Sequence, residues 1–216
     1  MGDYGKVGIT AGYSRVNVND YAKVGAEYTY QNSFKNNSNI GYKLACNGNA
    51  LIGKDAGFSA GAYAGLDFGK NNCTQYNLGL MADYTFAGSD KVKYTETTKS
   101  IGDIKIIDQQ VAIDNYSQQA LRAGGELGFT RNICCDDDKK LHIAVQGGAE
   151  FTSKLEPDMN NTLAYSKNLN KVKPFIGAAA EFSQKVNDKG NELYFKGSCQ
   201  YSDLNSKGEF GIGFRF

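Results

Sequence analysis

The chain has 216 residues, with 24 lysines and arginines against 23 aspartates and glutamates and a net charge of +1. So even a balance offers no basic surface of the kind that neutralises nucleic-acid phosphates. No run of about 18 apolar residues occurs, which excludes a membrane-spanning helix but not a spanning sheet, where only every second residue of a strand meets lipid.

Glycine is abundant at 26 residues, proline is limited to two and tryptophan is absent. That composition favours strands and turns over helices. Met1-Gly2-Asp3-Tyr4 carries no apolar stretch of a secretory signal, and such a signal is expected to have been removed.

Period-two alternation then predicts strands in chain order. Val7, Ile9, Ala11 and Tyr13 share one face of the first, and Ala22, Val24, Ala26, Tyr28 and Tyr30 one face of the second. Ile40, Tyr42, Leu44 and Cys46 mark the third; Phe58, Ala60, Ala62, Ala64, Leu66 and Phe68 the fourth; Tyr76, Leu78, Leu80, Ala82, Tyr84 and Phe86 the fifth. After a long irregular stretch come Leu121 to Phe129 and then Leu141 to Phe151. Ile176 to Phe182 and Leu193 to Tyr201 follow, and Phe210, Ile212, Phe214 and Phe216 close the chain, alternating with glycine or charge. The count is about 10 strands, within roughly 8 to 12.

The links alternate in length. Residues 31–39, 69–74, 131–139 and 186–191 are compact, whereas 87–119 and 152–171 are long. Short turns on one side and long loops on the other are the asymmetry of a barrel that crosses a membrane. The fold class expected is therefore all-β, a closed antiparallel transmembrane β-barrel forming one domain over 1–216, with long external loops near 87–119 and 152–171. The 87–119 loop, with an upright hairpin left open as its form, has more apolar surface in Ile101, Ile104, Ile106, Ile107, Val111 and Ile113 than solvation needs. Packing on the rim or a contact patch would use it.

Alternation does not say which face is inside, but residue size does. The polar face carries many glycines, among them Gly8, Gly12, Gly65, Gly79 and Gly213. Glycine weakens an exposed strand, whereas a narrow lumen needs small residues beside long ones. The inward set then includes Lys6, Lys23, Glu27, Lys43, Asp67, Asp83, Arg122, Glu126, Glu150, Lys173, Glu181, Lys196, Glu209 and Arg215. Both signs are mixed, so these groups can pair and brace the interior, although desolvation offsets much of what the pairing contributes.

The closing Phe210, Ile212, Phe214 and Phe216 pattern resembles the assembly signal of bacterial outer-membrane β-barrels, in which a terminal aromatic follows alternating apolar residues. Strand pattern and loop asymmetry extend the likeness, to small porin and OmpA-like barrels, over nearly the whole chain. The segment from Tyr116 to Phe129, read with the C terminus, also resembles autotransporter translocator domains. Those domains usually have about twelve strands and a helix ahead of the first, whereas here the first strand begins close to Met1. Two more strands within 91–111 would restore the count, yet Lys91 to Thr97 has too little apolar surface for lipid. The resemblance implies an outer-membrane location with both termini periplasmic, lipid as the surrounding medium, and insertion by the barrel-assembly machinery.

Chemistry is sparse. His142, the one histidine, falls inward near the periplasmic end of its strand, and its same-strand neighbours Ala144 and Gln146 make no nucleophile and base pair. Residues 48–55 approach a phosphate-binding loop, but Asp55 stands where a serine or threonine is needed and no helix follows, so the segment is read as a loop. Five cysteines without C-x-x-C spacing do not suggest zinc, and Cys134-Cys135-Asp136-Asp137-Asp138 fits a polar turn. Cys73 and the Cys134–Cys135 pair lie in neighbouring turns, where a bridge is compatible with an oxidising compartment.

The expectation is a non-enzymatic barrel, without cofactor or metal, that anchors loops for contact with a surface or an extracellular ligand. The alternative is a small porin or a translocator domain.

Overall fold

Large apolar residues alternating with small or charged ones are accommodated by a sheet that keeps the two sets on opposite faces, and here that sheet closes on itself. A computed structural model describes residues 4–16, 19–34, 37–53, 56–69, 73–87, 91–101, 104–115, 118–133, 138–156, 167–187, 190–203 and 205–216. The strands are β1 (Tyr4–Val16), β2 (Asn19–Phe34), β3 (Asn37–Gly53), β4 (Gly57–Phe68), β5 (Thr74–Ala87), β6 (Lys91–Ile101), β7 (Ile104–Asn115), β8 (Gln118–Asn132), β9 (Lys139–Glu156), β10 (Lys167–Lys185), β11 (Glu192–Ser202) and β12 (Ser206–Arg215). Ten of them form a closed antiparallel barrel in the order β1-β12-β11-β10-β9-β8-β5-β4-β3-β2, and β6 pairs with β7 as a separate two-stranded sheet.

The closing seam runs from Gly8 opposite Arg215 to Val16 opposite Lys207. Beyond it, Val7 and Phe216 exchange main-chain hydrogen bonds of 3.1 and 2.9 Å. Closure leaves no strand edge around the barrel wall, which in lipid would be an unsatisfied row of backbone donors and acceptors. Both chain ends and the β2–β3, β4–β5, β8–β9 and β10–β11 links gather at one end, here the terminal end; the β6–β7 insertion lies at the other, the hairpin end. Tight reversal at the terminal end uses glycine in the left-handed region at Gly69 (φ 78°) and Gly190 (φ 81°), where a Cβ would be strained.

Three segments extend beyond what alternation predicts. Residues 48–53, read as a loop, continue β3 in register with β2 and β4. The alternation is masked there because Leu51 points into the lumen and packs with Val16, Tyr21 and Ala87 in a small interior apolar cluster at the hairpin end. Within 152–171, β9 and β10 pair as far as Glu156 opposite Lys167, so the connection narrows to 157–166. Residues 167–174 of β10 pair with β9 alone, because β11 ends at Ser202 opposite Phe175. A ladder past the rim has no lipid to face and so needs no alternation. Within 87–119, β6 and β7 form a hairpin from Lys91 opposite Asn115 to Ile101 opposite Ile104. The side chains of this hairpin, including the isoleucines expected to pack or make contact, lie outside the described residues.

Cys73 is disulfide-bonded, and Cys46 and Cys199 are free. Cys134 and Cys135, expected in the bridging turn, lie outside the described residues. The two turns do meet, since the Asn132 N–H donates to the Cys73 carbonyl at 2.8 Å.

Candidate functional site

Polarity is inverted relative to a water-soluble barrel. Leu80 is 72% exposed and Ile176 67%, while Arg122 is 2% exposed and Glu150 fully buried. The apolar residues therefore form the outer wall and the charged ones fill the lumen. The lumen is where chemistry or transport would take place.

At the hairpin end the Arg122 Nε–H of β8 donates to Glu150 of β9 at 2.7 Å, and its Nη1 reaches the Gln200 Oε1 of β11 at 3.0 Å. The second Glu150 oxygen accepts from Thr152 at 2.7 Å and from Asn205. A guanidinium and a carboxylate removed from water keep their charges only when hydrogen bonds satisfy them in this way. Beside them Lys207 of β12 contacts Asp83 at 2.9 Å and Glu209 at 3.5 Å, and Lys23 contacts Glu209 at 3.0 Å. The Val16, Tyr21, Leu51 and Ala87 cluster adds an apolar layer at this end.

Toward the terminal end Arg215 grips Glu181 through two nitrogens at 2.6 and 2.7 Å and also donates to Glu27. Lys196 reaches Glu27 at 2.6 Å and Lys6 reaches Glu192 at 2.7 Å. The Tyr194 ring lies 4.0 Å from the Arg215 guanidinium carbon and 5.2 Å from the Lys196 ammonium, close enough for cation–π attraction. Asp67 is held by amides instead, accepting from Gln31 at 2.8 Å and Asn77 at 2.6 Å. Glu126 accepts from Gln146 at 2.8 Å, and the Lys43 ammonium stands 5.8 Å from the Tyr63 ring centre. Lys173, expected inside the lumen, stands instead at the hairpin-end rim, in the part of β10 that has outrun β11, and meets Asp203 at 3.8 Å with both side chains well exposed.

Lys207, Glu192 and Tyr194 were missed as lumen residues. Each keeps the parity of a recognised one, since 207 lies two before Glu209, and 192 and 194 precede Lys196 on the same face. Following the inward parity through and beyond each apolar run would have found them. Partners on neighbouring strands, such as Glu150 for Arg122, Asn77 for Asp67 and Gln146 for Glu126, follow from register, whereas those of Arg215, on β2 and β10, come from strands far apart in sequence.

His142 of β9 has cross-strand neighbours that its own strand does not reveal. Its Nδ1 lies 3.0 Å from the Thr130 hydroxyl, and its Nε2 lies 3.8 Å from Glu126. Thr130 also donates to Asn77 at 3.1 Å. A threonine has one hydroxyl hydrogen, so with that hydrogen on Asn77 the ring donates to Thr130 rather than deprotonating it. This geometry holds a histidine in place without making a nucleophile. Among the described residues no group of histidine, cysteine and carboxylate side chains is arranged to hold a metal.

No family model matches the chain, and no curated protein matches it. Solved structures resemble it in shape. The outer-membrane protease OmpT from Escherichia coli is 11% identical with a TM-score of 0.49, over 99% of this chain and 95% of that one. Neisserial surface protein A is 12% identical with a TM-score of 0.43, over 100% and 98%. The beta domain of the Bordetella autotransporter BrkA is 10% identical with a TM-score of 0.43, over 100% and 99%.

Proposed function

We propose that the chain is a non-enzymatic β-barrel of a bacterial outer membrane that anchors the loops of its hairpin end, above all β6–β7, for contact with a surface or an extracellular ligand. The observation that carries this reading is the inverted wall, with an apolar exterior and buried charge pairs filling the lumen toward the hairpin end. In water, so large a contiguous apolar surface would drive aggregation; in lipid it is the favourable solvent contact. Aromatic clusters fall near both ends of the wall, Tyr30, Phe34 and Tyr42 at one and Phe58, Tyr84 and Phe86 at the other, as the girdles of a membrane barrel do. The compact links then face the periplasm with both termini, and the hairpin faces outward.

A lumen filled in this way leaves no open path for ions. Purified barrel inserted into a planar lipid bilayer is expected to give no stepwise current. A steady conductance that scales with salt concentration would instead favour a small channel, the reading supported by the empty space in the middle of the lumen.

A further inference from the structure

Between the two sets of ion pairs the lumen holds a cavity of about 210 Å³. Most charges lining it are already matched: Lys23 with Glu209, Lys196 with Glu27, and Arg215 with Glu27 and Glu181. Two are not. Among the described residues Lys43 has no carboxylate within ion-pair distance and only the Tyr63 ring beside it. Glu126 has no lysine or arginine partner, only the Gln146 amide and the more distant His142 ring.

These two groups are related by register. Lys43 of β3 pairs with Gly65 of β4, Gly65 with Gly79 of β5, and Gly79 with Glu126 of β8, so the four residues form one row around the wall. A Cβ at Gly65 or Gly79 would collide with the Tyr63 ring, whose hydroxyl end therefore covers both glycines. The row presents a cation, an aromatic floor and an anion in sequence along one side of an empty space. Charges left unmatched in a lumen are costly to desolvate unless water or a ligand meets them.

We propose that this cavity is a binding site for a small zwitterion, with the ligand carboxylate at Lys43, its ammonium at Glu126 and its body over Tyr63. The volume is below the roughly 300–1,000 Å³ of pockets for drug-sized molecules, which limits the ligand to the size of an amino acid or a short dipeptide. Entry is assigned to the terminal end, where Lys6, outside the cavity lining, is 27% exposed, against 2% for Arg122 and 4% for Lys207 toward the hairpin end. The site is thus a blind chamber rather than a path, and it stands whether or not the hairpin end displays a contact surface.

Isothermal titration of the refolded barrel in detergent tests it with glycylglycine as the zwitterionic probe, N-acetylglycine as an anion and glycinamide as a cation. Saturable binding of glycylglycine is expected, with each singly charged probe weaker by about ten-fold or more, the loss of one ionic contact. Lys43→Met and Glu126→Gln are each expected to lower glycylglycine affinity by about ten-fold while the barrel keeps its heat-dependent gel migration. Absence of saturable binding overturns the proposal, as does equal binding of a singly charged probe. The probe comparison needs no variant, so a substitution that fails to fold does not shield the idea.

Discussion

The Tyr63 ring over Gly65 and Gly79 is a contact that no single strand encodes. Tyr63 and Gly65 share β4 at a spacing of two, and Gly79 stands opposite Gly65 on β5. A Cβ at Gly79 would lie 2.5 Å from three Tyr63 atoms, well inside contact distance. Gly79→Ala is therefore expected to destabilise the barrel by about 1–3 kcal/mol through overpacking. In a Tyr63→Ala background the same substitution loses the three nearest atoms it would meet, and its cost is expected to fall by about 0.5–3 kcal/mol, the coupling typical of residues in contact. Urea unfolding of the four proteins in lipid vesicles measures this, and additive costs would show that the ring does not cover the glycine. The glycines themselves were legible in the sequence as a mark of the inward face; which aromatic occupied their space was not, because that depends on the register of β4 with β5.

At the scale of elements, β12 and the β6–β7 hairpin behave differently. The β12 strand must close the barrel, and the Val7–Phe216 main-chain pair is the last rung of that closure. Deleting Phe216 is expected to reduce outer-membrane yield in cells more than it lowers the stability of barrel refolded in vitro, since one rung of a long seam is lost while the alternating terminal pattern is truncated. Equal yield of truncated and intact protein would remove the assembly role from Phe210, Ile212, Phe214 and Phe216. The hairpin lies outside the barrel order altogether. An epitope placed between β6 and β7 is expected to be detected on intact cells, and removing 95–108 should leave the barrel folded while reducing any adhesion the protein confers. Detection only after the outer membrane is breached would invert the proposed orientation. That this segment pairs with itself was left open by its sequence, because β-branched residues without lipid-facing alternation suit either a hairpin or an irregular loop.

For the whole molecule, closure and inverted polarity lead to one expectation. The protein should be extracted only into detergent and should migrate differently on a gel before and after boiling, because a sheet with no free edge unfolds only when many rungs are lost together. A detergent-free soluble monomer would contradict the membrane reading.

The sequence by itself determined the closed antiparallel barrel of about ten strands, because a half-buried strand writes its two environments into alternate residues. It did not determine where a strand stops once it leaves lipid, which is why β3, β9 and β10 run longer than their apolar patterns, nor the parity of Leu51, where an apolar side chain fills the interior. Only the tertiary structure decided which charges meet. Arg122 finds Gln200, and Arg215 finds Glu27 and Glu181, across strands whose separation in sequence carries no signal, while Lys43 and Glu126 border open space. Pairing inside a barrel depends on curvature and on the stagger between strands, and both arise only when the sheet closes.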